Sequence, residues 1–181
     1  MINQEVIVNQ QLQERIHYDN SDFPLARFID EMDYFVDGEF LCHWHPEFEL
    51  AIILKGGIEY QVDQQVFRLH QGEGIFITSR ALHSARQLIP GSIIFNIEFP
   101  ASLFHTIGTS FLYQNYFNPS SLKKMGSWKI LPENEEGSEI LERLMHIHRS
   151  DPDKYAYELL CMEDILHIWR NLIASVLPGS Y

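Results

Sequence analysis

Residues 42–56, CHWHPEFELAIILKG, carry two histidines and two glutamates at alternate positions of an otherwise apolar run. In a strand, side chains alternate with period two, so His43, His45, Glu47 and Glu49 share one face. Imidazole nitrogens and carboxylate oxygens are donors that zinc, nickel, iron and manganese ions accept. If that face lines a cavity, His43, His45 and Glu49 converge on one point. His83 follows the strand-and-turn pattern GEGIFITSRAL, and it is the candidate for a fourth ligand from a neighbouring strand. The same residues also make a polar floor without metal, in which a histidinium balances the buried glutamate. Both roles stay open at this point. Glu47 reads as a solvent or rim residue beside Pro46, with a further ligand as its other role, and Trp44 and Phe48 as packing on the opposite face. Tyr60 and Phe95 are candidates to stack on a ligand, with core packing as their other role. Asn96 and Glu98 alternate with Phe95, Ile97 and Phe99, and the pattern leaves open which row faces inward.

The elements that must position these groups are short. Residues 1–24 are polar, then mixed, and read as an arm ending at Pro24. From 25 to 100, apolar or alternating runs are broken by glycine, aspartate and glutamine. IEYQV and VFRL flank the turn DQQ, and a second turn falls at Pro90-Gly91. Strands this short and frequent predict a sandwich or barrel, not a parallel α/β sheet. After Pro100 the pattern turns helical, and 101–181 reads as a helical region. One helix is predicted from Ser138 as N-cap, and a longer one from about 153 to 177, stopped by Pro178-Gly179. In the longer helix Leu159, Leu166 and Ile173 recur every seven residues, and Met162, Trp169 and Val176 do the same, offset by three. That is an a/d seam. Ile165, Ile168 and Leu172 form a second apolar stripe, so the helix needs two partners, and the seam is assigned to a homodimer, with intramolecular core as its other role.

The 181 residues are 45% hydrophobic and 13% aromatic, ample for a packed core. The net charge of −12 and the scattered lysines and arginines exclude a basic stripe that would grip nucleic acid unaided. No apolar run is long enough for a membrane span, and the N-terminus has no secretory pattern. Cys42 and Cys161 lie outside any CxxC and read as buried, reduced thiols of a cytoplasmic protein.

The spacing of Gly38, His43, His45, Glu49 and Gly56 resembles the first conserved motif of the cupin superfamily. QGEGIFITSRALHSARQ, with Gly72 and His83, resembles the second. The resemblance implies an antiparallel β-barrel of jelly-roll type, with His43, His45, Glu49 and His83 where metal-binding cupins hold one divalent ion (zinc, nickel, iron or manganese). Three departures stand out. Gly38 is one residue nearer to His43 than usual, Thr78 and Arg80 replace a usual Pro and Gly, and Gln87 stands where Asn is common. The run HWHPEFELAIILKGGIEYQVDQQVFRLHQGEGIFITSRALHSAR looks like the sensory domain of AraC-type transcriptional regulators, and the likeness in layout extends over residues 20 to 177. That narrower resemblance implies a bacterial effector-sensing and dimerisation domain with a small polar metabolite, such as a sugar, in the barrel. His43, His45, Glu49, His83, Tyr60 and Phe95 would contact it. DNA would be bound through a helix-turn-helix domain that this chain lacks after LPGSY, so a truncated piece or a free-standing sensor is expected. The alternative implied by the same donor set is a metal-dependent cupin enzyme, an oxygenase or isomerase whose open coordination positions bind substrate or oxygen.

Overall fold

The computed structural model describes residues 2–3, 6–107, 110–117 and 125–176. The chain divides into two compact units, residues 1–129 and 130–181. The first unit is built on two sheets of short strands, as the frequent turns require. One sheet has the order β1 (Ile2–Asn3), β2 (Ala26–Glu31), β9 (Ile93–Phe99), β4 (Phe48–Lys55), β7 (Gly74–Ile77) and β10 (Trp128–Ile130). The other has the order β3 (Glu39–His43), β8 (His83–Gln87), β5 (Gly57–Val62) and β6 (Gln65–His70). Apart from the parallel β1–β2 pair, the registered pairings are antiparallel. The motifs imply this arrangement of antiparallel strands followed by C-terminal helices.

Register decides which side chains meet. β4 pairs with both β9 and β7, so Glu49 lies opposite Glu98 and Ile77, and Ala51 opposite Asn96 and Ile75. Residues directly opposite in a ladder share a face. Glu49, Ala51 and Ile53 therefore look into the barrel with Asn96 and Glu98, which fixes the row of β9 that faces inward. There the apolar part of the core joins Ile53, Ile75 and Ile94 to Ile58, Tyr60, Val62 and Ala85 of the second sheet. Phe48, Leu50 and Ile52 project from the other face with Phe76, Phe95, Ile97 and Phe99. Phe48 lies 6.0 Å from both Phe76 and Phe99, and Phe99 packs edge-on to Phe104. Every residue of Phe48–Ile53 is buried, whichever face it points to.

Turns hold this geometry. Gly56 has φ 81°, and a Cβ there would overlap the Ser92 hydroxyl. Gly38, at φ 68°, leaves no room for a Cβ against the side chain of Gln87, so two of the departures from the cupin motifs pack on each other. Arg80, where the motif usually has glycine, adopts φ 67° and donates its N–H to the His45 carbonyl at 2.9 Å. The turn survives the substitution, and His83 still enters β8 beside β3. After β9 come 3-10 turns over Ala101–Ile107, α1 (Ser110–Leu112) and a π-type turn over Tyr113–Phe117.

The second unit is a pair of helices, α2 (Glu135–Arg149) and α3 (Tyr157–Val176). The cap of α2 is Asn134, not Ser138: its side chain accepts from Gly137 N at 2.8 Å. Both residue types suit an N-cap. The acidic Glu135 and Glu136 are favoured in a first turn, where the helix dipole is positive, so the helix starts earlier. In α3, Trp169 and Ile173 are buried, Met162 and Leu166 are half-buried, and Leu159 is 73% exposed. The Val176 side chain and Pro178-Gly179 lie outside the described residues. His146 is bound to buried Asp164 (2.7 Å) and His167 to Glu139 (2.8 Å). Both cysteines are free, but Cys42 is exposed, because the inward positions of β3 go to Phe40 and His43. Among the described residues, no helix is long and apolar enough to cross a membrane.

Candidate metal and ligand site

A β-bulge delivers the first histidine. Phe40 pairs with Ala85 and His43 with His83, so three residues of β3 advance while β8 advances two. The extra residue lets both Phe40 and His43 point inward, although their odd spacing would put them on opposite faces of a regular strand. The His43 and His83 rings then lie 4.2 Å apart. His45 follows two residues after His43, and its ring centre is 5.1 Å from that of His83. All three histidines and Glu49 are buried. Ligand-grade nitrogens of His43, His45 and His83 lie within 4.8 Å of one another. Glu49 Oε2 stands between two rings, 3.2 Å from His83 Nε2 and 3.5 Å from His45 Nε2.

The tautomers are set by backbone carbonyls. His43 Nδ1 is 2.8 Å from Leu41 O, and His83 Nδ1 is 2.9 Å from Ala81 O. A carbonyl only accepts, so each Nδ1 carries a proton and the neutral ring keeps its lone pair on Nε2. Metal-ligating histidines are commonly oriented in this way. Burial, then the neighbouring His83, pushes His43 down to about 4, so it is neutral at neutral pH. Burial alone would lower His83 too, but the Glu49 carboxylate beside it outweighs that and raises it. Burial likewise acts to raise Glu49, and the His45 and His83 rings overcome it and hold the carboxyl below the usual range.

Further residues reach this point that the strand pattern alone does not assign to it. The arm folds back on Trp44: Glu14 N donates to Trp44 O (2.9 Å), Trp44 N to Leu12 O (3.0 Å), and the indole to Gln11 O (2.9 Å). This brings Glu14 Oε2 within 3.3 Å of His43 Nε2. Burial, then the charge of Glu49, raises Glu14 to about 7. Glu47 is buried, not on the rim, because the Tyr18 hydroxyl from the same arm donates to its Oε1 at 2.5 Å. Deeper in the barrel, Asn96 donates to Asp30 Oδ2 at 2.7 Å. Burial, then Glu49, raises Asp30 to about 8, and Glu98 goes well above its ordinary value for the same reasons. Several buried polar atoms have no hydrogen-bond partner, among them both His45 nitrogens, Glu47 Oε2, Tyr60 Oη and Glu98 Oε2.

Of the six residues singled out as ligand contacts, His43, His45, Glu49 and His83 come together. Tyr60 faces the same interior from β5, and Phe95 lies on the outer face of β9. The donor set suits a divalent ion: three imidazoles and at least one carboxylate, buried, with two of the rings held by carbonyls.

Residues 36–168 match the family model of the AraC-like ligand binding domain. Over 177 residues the chain is 26% identical to an uncharacterized HTH-type transcriptional regulator, YdeC, of Bacillus subtilis. The match covers 97% of this chain and 60% of that protein, so the chain spans well under two thirds of its relative's length. Among solved structures, KdgF from a Halomonas species aligns at 18% identity with a TM-score of 0.38, over 43% of this chain and 71% of its own. A variant of oxalate decarboxylase from B. subtilis aligns at 19% identity and a TM-score of 0.31, over 33% and 17%.

Proposed function

Since the chain belongs to the family of AraC-like ligand-binding domains, we propose that it is the effector-sensing and dimerising part of a transcriptional regulator, with a divalent metal at the barrel mouth as part of the effector site. His43, His45, Glu49 and His83 hold the ion, and a small polar metabolite, such as a sugar, reaches it there. The observation that carries this reading is the pair of Nδ1–carbonyl hydrogen bonds, which fix two imidazoles with Nε2 turned toward carboxylates, His43 toward half-buried Glu14 and His83 toward buried Glu49. When bound, the ion supplies open positions for oxygen donors of the effector. The residues around it do the rest. Glu14 and Tyr18 tie the arm to the mouth, and Tyr60 offers an unpaired hydroxyl from below. Effector binding would then favour one arrangement of the arm over another, to the extent that its affinity for the two differs. The exposed Leu159, with half-buried Met162 and Leu166 on α3, supports self-association through that helix, and DNA contact falls to a separate domain.

Metal analysis of untagged protein, purified without added metal, tests the reading. Stoichiometric metal in the wild type and its loss in His45→Ala are expected. Absence of metal from the wild type, even after incubation with zinc or manganese, overturns the metal part and leaves a polar pocket. The same donor set also favours a second reading, a cupin oxygenase or isomerase. Turnover by the loaded protein of a metabolite that stabilises it would favour that reading over the sensor.

A further inference from the structure

We propose that the barrel interior holds two divalent cations, the second on His45, Glu49 and Glu98. The inference rests on the metal reading above and concerns how many ions the site takes and where. Two sets of ligand atoms each lie within 4.8 Å of one another: those of His43, His45 and His83, and those of His45, Glu49 and Glu98. The second set joins His45 to Glu49 of β4 and Glu98 of β9, which lie opposite each other in the ladder.

Two adjacent, like-charged carboxylates are unfavourable in a low-dielectric interior unless a cation or a proton intervenes. Among the described residues no lysine or arginine is buried, so the protein supplies no permanent cation there. Without a cation, a proton on Glu98 removes the charge, yet its buried Oε2 has no hydrogen-bond partner, so a cation that takes this oxygen breaks no existing bond. His45 is also fully enclosed, with neither ring nitrogen hydrogen-bonded. A buried carboxylate oxygen without a hydrogen bond and an imidazole held only by ion-pair contacts, 3.5 Å to Glu49 and 3.7 Å to Glu47, converge on one point and are free to turn toward a cation.

Glu14, Glu47, Glu49 and Glu98 gather around the histidines, carboxyl groups from which a bound cation would displace any proton. The ligands also divide between two positions. His45 belongs to both sets, and one imidazole nitrogen binds one ion at a time. With His45 on the inner ion, Glu14, 3.3 Å from His43 Nε2, is placed to complete the outer set with His43, His83 and Glu49. Glu49 has two oxygens and can bridge, as carboxylates do where two metals share a site.

The test uses wild type and Glu98→Gln, both stripped with chelator, reloaded with manganese, gel-filtered and analysed for metal. Two ions per chain in the wild type and one in Glu98→Gln are expected, with spin coupling in the manganese resonance spectrum of the wild type that is lost in the variant. One ion in the wild type overturns the second site and leaves the single-ion reading intact. Two ions in both proteins overturn its placement on Glu98. No ion in either overturns both readings. Should Glu98→Gln fail to fold, the anomalous scattering of manganese in wild-type crystals decides: two peaks inside the barrel support the inference, and one peak refutes it.

Discussion

Replacing Asp30 with asparagine should stabilise the metal-free protein, and the gain should grow with pH. Asp30 is 1% exposed, and Asn96 donates to one of its oxygens while the other has no partner. Burial, then the charge of Glu49, raises its carboxyl from 3.8 to about 8. The folded protein therefore keeps a proton that the unfolded chain releases above about 4. Wherever the folded state binds more protons, stability falls as pH rises. The contribution of Asp30 is thus fully present in acid, is lost progressively from about pH 4 to about pH 8, and has no further slope once both states are ionised. The slope is about 1.4 kcal/mol per pH unit for one proton. Between pH 5 and pH 7 the stability difference between Asp30→Asn and wild type should therefore shift by about 2.5 kcal/mol in favour of the variant. Asparagine keeps the shape and an acceptor for Asn96, so the comparison isolates the proton. Glu14 and Glu98 titrate in the same direction in both proteins, and the charge of Asp30 that helps to raise Glu98 is absent from the variant, which adds to the shift in its favour. Urea unfolding at pH 5, 6, 7 and 8, followed by tryptophan fluorescence, supplies the curves. Parallel curves for the two proteins would refute the reasoning, because they would mean that Asp30 is ionised and balanced inside the barrel.

Two further perturbations probe the frame and the cover of the site. Gly56→Ala puts a methyl group on a residue at φ 81° and into the Ser92 hydroxyl, which bridges Gly57 N (3.0 Å) and Ile89 O (2.6 Å). The left-handed backbone and the displaced hydroxyl together should remove about 3 kcal/mol, or roughly 6–12 °C of melting temperature for a chain of this size. A change within about 2 °C would show that the β4–β5 turn adapts freely. Deleting residues 1–18 removes the Glu14 and Tyr18 contacts and the cover on Trp44. If the arm closes the mouth with a net worth of even one hydrogen bond, about 1.4 kcal/mol, chelator should extract bound metal about tenfold faster. An unchanged extraction rate would show that the arm does not cover the ion.

The four-residue cluster could be read from the chain because its information is local. His43, His45 and Glu49 follow the period of a strand, and His83 sits at the end of a second recognisable turn. The rest of the site is set by contacts distant in sequence. Glu14 lies 29 residues before His43 and meets it because the arm turns back at Leu12 and pairs with Trp44. Tyr18 buries Glu47 by the same fold-back, which a single-strand pattern cannot show. Asn96 and Glu98 could not be assigned a face, because β9 is buried on both sides and carries no clean alternation of polar and apolar residues. The bulge that aims His43 needs the partner strand to be visible, since it is defined by the register of β3 against β8. Asn134 and Ser138 are both capping residues, and the choice between them falls to Gly137, whose N–H meets Asn134 and whose missing side chain leaves room for the Leu131 carbonyl.

The interior tolerates so much unsatisfied polarity because the two faces of one sheet divide the work. On its outer face, Phe48, Phe76, Phe99 and Phe104 bury large aromatic surfaces in edge and stacked contacts. Each such side chain is worth about 1.5–3 kcal/mol of burial, with more from ring geometry. On the inner face, Ile53, Ile75 and Ile94 pack one half of the barrel, and Glu49, Glu98 and the histidines occupy the other. The polar half therefore loses free energy that the outer face can supply, and the proposed cation would return part of it. The arm touches that same half through Glu14 and Tyr18. Any ion or effector that changes the charge felt by Glu14 changes the free energy of closing the arm. By linkage, closing the arm changes the affinity for that ion or effector by the same factor. The proposed sensor needs this reciprocity, and the contacts of Glu14 with His43 (3.3 Å) and of Tyr18 with Glu47 (2.5 Å) would carry it.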